Sequence, residues 1–287
     1  MRKRGQVSIF MVIGIVLLLL ASFLIYIQKY AIERQSELEM RENEIFESDI
    51  NALQGYLQSV AEDSAEKALI AWSNSSGMKD AFQSGLFFEE CDIDGRKQNL
   101  TYLYKDGANY FEDEDDKSRA RQNLSALVVS HLVGSINPAV FEEKGMALQE
   151  GAVPDANISV EFNEFGTTAF MVTPVLVVLK GGLTARFGNM LVGKNVSMLL
   201  VENEISPAIE RAISDDELDT YTPTDRPEYQ KLRVCGTLVG DLCTAPDGSP
   251  GDGNAHLMSI SLDESLGGAY PLRFEFLVDE TITGCSP

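Results

Sequence analysis

Val7–Ile27 is a run of 21 residues without a charged side chain. A helix rising ~1.5 Å per residue over that length crosses the ~30 Å hydrocarbon core of a bilayer. Arg2, Lys3 and Arg4 precede the run, and Tyr26, Gln28, Lys29 and Tyr30 close it. Snorkelling cations and amphipathic rings favour such boundaries, and the positive-inside rule puts Arg2–Arg4 in the cytoplasm. Ser8 and Ser22 can satisfy their hydroxyls on the helix's own carbonyls. Apolar residues occupy every face, which excludes an ordinary amphipathic surface helix. A cleaved secretory signal has a shorter apolar region and a small-x-small site. Here Tyr26, Ile27, Gln28 and Lys29 are all bulky, so a retained anchor is expected. Residues 1-28 read as a basic start and transmembrane helix, with the C-terminal remainder extracellular.

Beyond the run, Ala31–Asn43 carries Glu33, Arg34, Glu37, Glu39, Arg41 and Glu42 without Gly or Pro. This predicts a charged stalk helix over 29-45. An apolar stripe follows at Phe46, Ile50, Leu53, Leu57 and Val60, extended by Ala65, Ala68, Leu69 and Trp72. Its spacing fits a helix lying on its own domain. A coiled coil to another subunit is the alternative, which Gly55 weakens. Ser73–Gly77 supplies turn chemistry to end the helix.

The remaining chain reads as an α+β ectodomain, with an antiparallel sheet and packed helices. Residues 46-225 form its larger part and 226-287 a β-rich C-terminal part. A hairpin is expected over Leu86–Tyr104 around Gly95, helices over Arg119–Gly134 and from Ser206-Pro207 to Leu218, and strands at Ile158–Phe162, Thr168–Leu179, Ser197–Val201, Leu257–Leu262 and Pro271–Val278. Leu232–Leu242 reads as a further hairpin. His131 reads as a packed helix residue. Asp92, Asp94 and Gly95 resemble part of a calcium loop, but the EF-hand spacing is missing. The acidic run Glu112–Asp116 reads as a solvated loop.

Charge narrows the partners. The chain carries −21 overall; three of its 23 basic residues precede the apolar run, so the rest holds 20 basic against 44 acidic residues, a net of −24. Such a surface repels nucleic acid. It suits a salty medium, or simply keeps the domain soluble.

Four cysteines, Cys91, Cys235, Cys243 and Cys285, fall on the expected oxidising side. Without a C-x-x-C pair, and with only His131 and His256 as imidazoles, zinc is not expected. Four cysteines allow three pairings. The hairpin reading favours Cys235 with Cys243 around Val239-Gly240-Asp241, which leaves Cys91 for Cys285; free buried thiols are the alternative. Five N-x-Ser/Thr sequons, at Asn74, Asn99, Asn123, Asn157 and Asn195, are candidate glycosylation sites.

Lys3-Arg4-Gly5-Gln6-Val7-Ser8-Ile9-Phe10 resembles the class III signal peptide of archaeal type IV pilin-like proteins. The resemblance implies a scissile Gly5–Gln6 bond, with Gln6–Ile27 left in the membrane. Phe10 stands where that family has Glu. The start, the stalk, a helix like Leu57–Leu69, and stretches at Phe141–Gly151, Phe170–Val178, Val196–Ala212 and Tyr270–Val278 are similar to uncharacterised archaeal single-pass membrane proteins. Their helix often carries a Cys where this chain has Ser59 or Val60, so their disulfide layout does not transfer. The resemblance implies topology and lineage rather than chemistry.

No nucleophile elbow, phosphate-binding loop, dinucleotide fingerprint or metal-ligand pair occurs. Neither catalytic, metal nor cofactor-binding residues are nominated. The expected function is a membrane-anchored structural or interaction protein of the archaeal cell surface, without catalysis. Its partners would be membrane lipid and other surface proteins. A pilin-like filament subunit and an anchored binding protein for a small solute or cation are the alternatives.

Overall fold

The computed structural model describes residues 4–77, 88–148, 157–163, 167–173, 176–180, 183–187, 190–214, 232–238, 242–245, 247, 249, 255–263 and 272–279. Contacts divide the chain into two units, Met1–Gly55 and Tyr56–Pro287.

The first unit is helical throughout its described backbone. It belongs to α1, which runs for 70 residues from Arg4 to Ser73. No proline interrupts that stretch, so nothing breaks the backbone ladder. Leu20, Phe23, Leu24, Ile25, Tyr26 and Ile27 are all exposed. Among the described residues no helix is long and apolar enough to cross a membrane. Most of the expected span lies on residues 7–19, whose side chains are outside the described residues.

The second unit is α+β. It contains the end of α1, β1 (Phe88–Ile93), β2 (Arg96–Lys105), β3 (Ala108–Asn109), α2 (Glu114–Ser135), α3 (Ala139–Glu142), β4 (Ala147–Leu148), β5 (Asn157–Phe162), β6 (Thr168–Thr173), β7 (Leu176–Lys180), β8 (Leu183–Phe187), β9 (Met190–Lys194), α4 (Met198–Ser214), β10 (Leu232–Leu238), β11 (Cys243–Thr244), β12 (Ala255–Leu262) and β13 (Arg273–Asp279). The main sheet has the order β10-β12-β13-β2-β1-β11, with β3 on β2. Strands β4-β7-β8 and β5-β6-β9 form two smaller sheets. Among the described residues all strand pairings are antiparallel except β13 with β2.

Two Asp-Gly pairs set the first turns. Asp94 and Gly95 have φ of 53° and 76°, and Asp106 and Gly107 have 52° and 80°. Ile93 faces Arg96 and Lys105 faces Ala108 across them. Two successive positive φ values make the hairpin turn whose twist matches the flanking strands.

The main sheet must curl. Leu238 ends β10 at one edge and Cys243 opens β11 at the other. The five peptide steps between them reach at most about 18 Å. Six flat strands would hold the edges about 24 Å apart. Curling gives the sheet an inner face, where Cys91, Ile93, Leu100, Tyr102, Cys243, Ala255, Leu257 and Leu277 are buried together. The opposite face buries Met258, Ile260, Phe274 and Phe276, beneath α4 and the end of α1. Strand β13 is therefore buried on both faces, and Phe274–Val278 is continuously buried.

The end of α1 is the hub. Leu57, Ala65, Ala68, Leu69 and Trp72 are completely buried. The Trp72 ring meets Phe274 of β13 at 5.1 Å and Phe162 of β5 at 6.1 Å between centroids. Its indole N–H donates to the Ala120 carbonyl of α2 at 2.8 Å. Gly77, at φ 71°, closes the helix by donating its N–H to the Trp72 carbonyl. A Cβ there would lie 3.1 Å from the indole, so glycine is needed for both conformation and space. The β5-β6-β9 sheet has its edges covered: Gln58 donates to the Leu191 carbonyl of β9, and Ser125 to the Ile158 carbonyl of β5.

Four local expectations need correction. Ser197–Val201, expected as a strand, enters α4, because Met198, Val201 and Ile205 bury one helical face. Pro207 lies inside that helix rather than at its start. Thr168–Leu179 is two strands in different sheets, β6 ending at Thr173 and β7 beginning at Leu176. Leu232–Leu242 is not a self-paired hairpin: β10 pairs with β12 and β11 with β1. Strands from 46-225 and 226-287 share the main sheet, and the unit boundary falls at Gly55/Tyr56.

Candidate functional site

Cys91 and Cys243 form a disulfide across β1 and β11, with Cα atoms 4.0 Å apart and a sequence separation of 152. Both are buried in the inner cluster of the curled sheet. The expected Cys235–Cys243 pairing is thus replaced. Proximity in sequence suggested a hairpin, but β10 finds a longer partner in β12, where Cys235 faces Ser259. The two-residue β11 crosses to the far edge and lies on β1 instead. The pairing of Cys91 with Cys285 falls with it. Cys285 and the side chain of Cys235 lie outside the described residues.

Gly5 and Gln6, the candidate processing site, lie in the first turn of α1. Among the sequons, Asn99 on β2 and Asn195 between β9 and α4 are exposed. Asn74 is half-buried after the last turn of α1. Asn123 is half-buried on α2, and its amide donates to the Gly77 carbonyl at 3.3 Å. Asn157 opens β5, with its side chain outside the described residues.

The acidic run has a structural use. Asp113 caps α2 by accepting from the Asp116 N–H at 2.9 Å, and Glu114, Asp115 and Asp116 fill the first turn. Carboxylates there answer the free N–H groups and the helix dipole. Burial raises the Asp116 pKa, against the opposing pull of Arg119. Asp94 belongs to a hairpin turn and pairs with Arg273 at 3.2 Å. Among the described residues no group of three or more His, Cys, Asp or Glu could hold a metal ion.

Sequence reasoning missed the buried polar groups. Glu89 accepts from the Tyr102 hydroxyl at 2.7 Å. Glu275 accepts from the Gln98 amide. Burial raises the Glu275 pKa, while Gln98, Arg273 and Arg96 pull the other way. Glu202 of α4 pairs with Arg121 of α2 at 2.8 Å, and Arg121 also lies over the Phe162 ring at 5.5 Å. His256 is buried on β12, and neither ring nitrogen has a hydrogen-bond partner among the described residues. Strand alternation could have exposed the first of these: Glu89, Cys91 and Ile93 share a face, as do Gln98 and Leu100. Among the described residues, Glu89, Glu275 and Glu202 are held by three different donors, Tyr102, Gln98 and Arg121.

Compared with known protein families, with curated proteins and with solved structures, the chain matches none.

Proposed function

We propose that this chain is a membrane-anchored structural or interaction protein displayed on the outside of an archaeal cell, without catalytic activity. The supporting observation is the junction of two features on one continuous helix. The uncharged run with its cationic start lies at the beginning of α1. The end of α1 is built into an acidic α+β unit closed by Cys91–Cys243. A persistent disulfide fits an oxidising compartment, and the positive-inside rule gives the same orientation. The buried carboxylates, each with its own donor, argue for a non-catalytic scaffold. Exposed Asn99 and Asn195 are the acceptors best placed for glycans.

Protease treatment of intact cells tests the reading. The acidic unit should be digested while a tag before Arg2 survives. A protected C-terminal unit and a cleaved N-terminal tag would overturn the orientation. Recovery in the soluble fraction after lysis would overturn the anchor.

The pilin-like start favours a filament subunit as the second reading. Against self-assembly stands Phe10, which gives no carboxylate to a buried terminal amine, and an unpaired buried charge costs several kcal/mol. The first acidic residue is Glu33, about 40 Å along the helix from Gln6. Electron microscopy of sheared surface fractions, with mass spectrometry of any filament, discriminates the two: a filament made chiefly of this chain would reverse the order.

A further inference from the structure

Tyr26, Tyr30 and Arg34 recur at four-residue steps on α1 and so share one face. The two tyrosine rings stack with centroids 6.5 Å apart and planes inclined by 15°. The Arg34 guanidinium carbon lies 5.6 Å from the Tyr30 ring centroid. Side chains on a helix lean towards its N-terminus, which carries the Arg34 charge back to the level of the Tyr30 ring. Tyr26 and Tyr30 are 66% and 51% exposed, and Arg34 is exposed too. Backbone length fixes a second relation. Arg4 and Tyr30 lie on the same helix, and the 26 steps between them rise about 39 Å. That nearly equals the ~40–45 Å thickness of a bilayer including its headgroups.

Resting on the anchor reading, we infer that the Tyr26–Tyr30–Arg34 ladder is a lipid-headgroup site that fixes the depth of α1 in the outer leaflet. The start of α1 at Arg4 meets the inner headgroup layer while the ladder meets the outer one. Tyrosine favours this boundary because its ring is apolar and its hydroxyl hydrogen-bonds water or ester oxygens. The Arg34 guanidinium has the fork geometry that binds a phosphate through two N–H groups. Tyr30 holds that fork against its ring face, a cation–π contact that limits where the charge can wander.

Depth-dependent fluorescence quenching tests this on the full chain, reconstituted into phosphatidylcholine vesicles carrying bromine either near the headgroup or near the chain ends. Trp72 is fully buried in the second unit and supplies a constant background. Tyr30→Trp should lose more emission to the shallow bromines, and Phe23→Trp more to the deep ones. Arg34→Gln should weaken the shallow quenching of Tyr30→Trp by releasing the helix from its depth. If Phe23→Trp is quenched while Tyr30→Trp is untouched, or is quenched most by deep bromines, the ladder is not at the headgroups. Unchanged quenching with Arg34→Gln removes Arg34 from the site. If neither tryptophan is quenched and the protein stays behind when vesicles float, the anchor reading itself fails, and this inference with it.

Discussion

Phe23 and Trp72 are large aromatic residues on the same helix, yet Phe23 is 60% exposed and Trp72 is 0% exposed. Around Phe23 the neighbours Leu24, Ile25, Tyr26 and Ile27 are exposed as well. Around Trp72 the helix presents Ala61, Ser64, Ala65 and Ala68, all buried. There Trp72 meets Phe162 of β5, Phe274 of β13 and the Ala120 carbonyl of α2. The two regions have the same backbone and opposite environments. Helix formation is local, whereas burial depends on what folds against the helix.

Substitutions at matched positions can break this comparison. The largest effect is expected at the hub. Trp72→Ala removes two aromatic contacts and the hydrogen bond to Ala120, and should destabilise the second unit by about 3–5 kcal/mol. Denaturant titration of the full chain in detergent, followed by near-ultraviolet circular dichroism, measures it. A loss below about 1 kcal/mol would mean that Trp72 is not the hub.

The disulfide should follow closely. Cys91 and Cys243 are buried and close a 152-residue separation, so replacing both by serine should cost about 2–5 kcal/mol. Non-reducing peptide mapping gives the direct check, and must show Cys91 linked to Cys243. A Cys235–Cys243 peptide would instead restore the hairpin pairing and undo the curled sheet.

A paired substitution sharpens the contrast within α1. Leu57→Ala, at a completely buried position, should lower stability by about 2–5 kcal/mol. Leu24→Ala, at a position 60% exposed, should leave the same unfolding curve within about 0.5 kcal/mol. Equal effects at both sites would show that the two regions share one core after all.

The smallest effect should come from Glu275. Burial raises its pKa in the folded state, so the folded protein holds a proton that the unfolded chain releases. The stability tied to this proton is full below the ordinary glutamate pKa and is lost as pH rises through the folded-state value. Glu275→Gln should therefore flatten that decline and leave the variant relatively more stable at neutral pH than in acid. Parallel melts across that window measure it. A variant with an undiminished decline would point to another group, with Asp116, raised by the same cause, the first to examine.

Much of the α+β class was legible because it rests on short-range rules. Helix α1 could be followed from Arg4 because no proline intervenes, and its end was marked by Ser73–Gly77. The alternation of Leu272, Phe274, Phe276 and Val278 identified the central strand β13. The turn at Asp94-Gly95 lay in the local sequence too. Other elements misled for physical reasons. Ser197–Val201 is rich in residues that suit strands or buried helices equally, and only packing of α4 on the main sheet decides between them. Asp113 looked like one more solvated charge until the start of α2 made it a cap.

By itself the sequence determined the uncharged run with its cationic flank, the acidity of the rest, and the helices and turns that local chemistry dictates. Periodicity, charge and covalent geometry are properties of neighbouring residues, and they survive without knowledge of the fold. Only the tertiary structure decided that β11 leaves β10 and crosses to β1, that Cys91 and Cys243 therefore meet, and that Glu89 and Glu275 are buried beside Tyr102 and Gln98. Those outcomes depend on which strands win one another as ladder partners across long stretches of chain. That competition is settled by how the whole sheet curls around its core, which no short window of residues encodes.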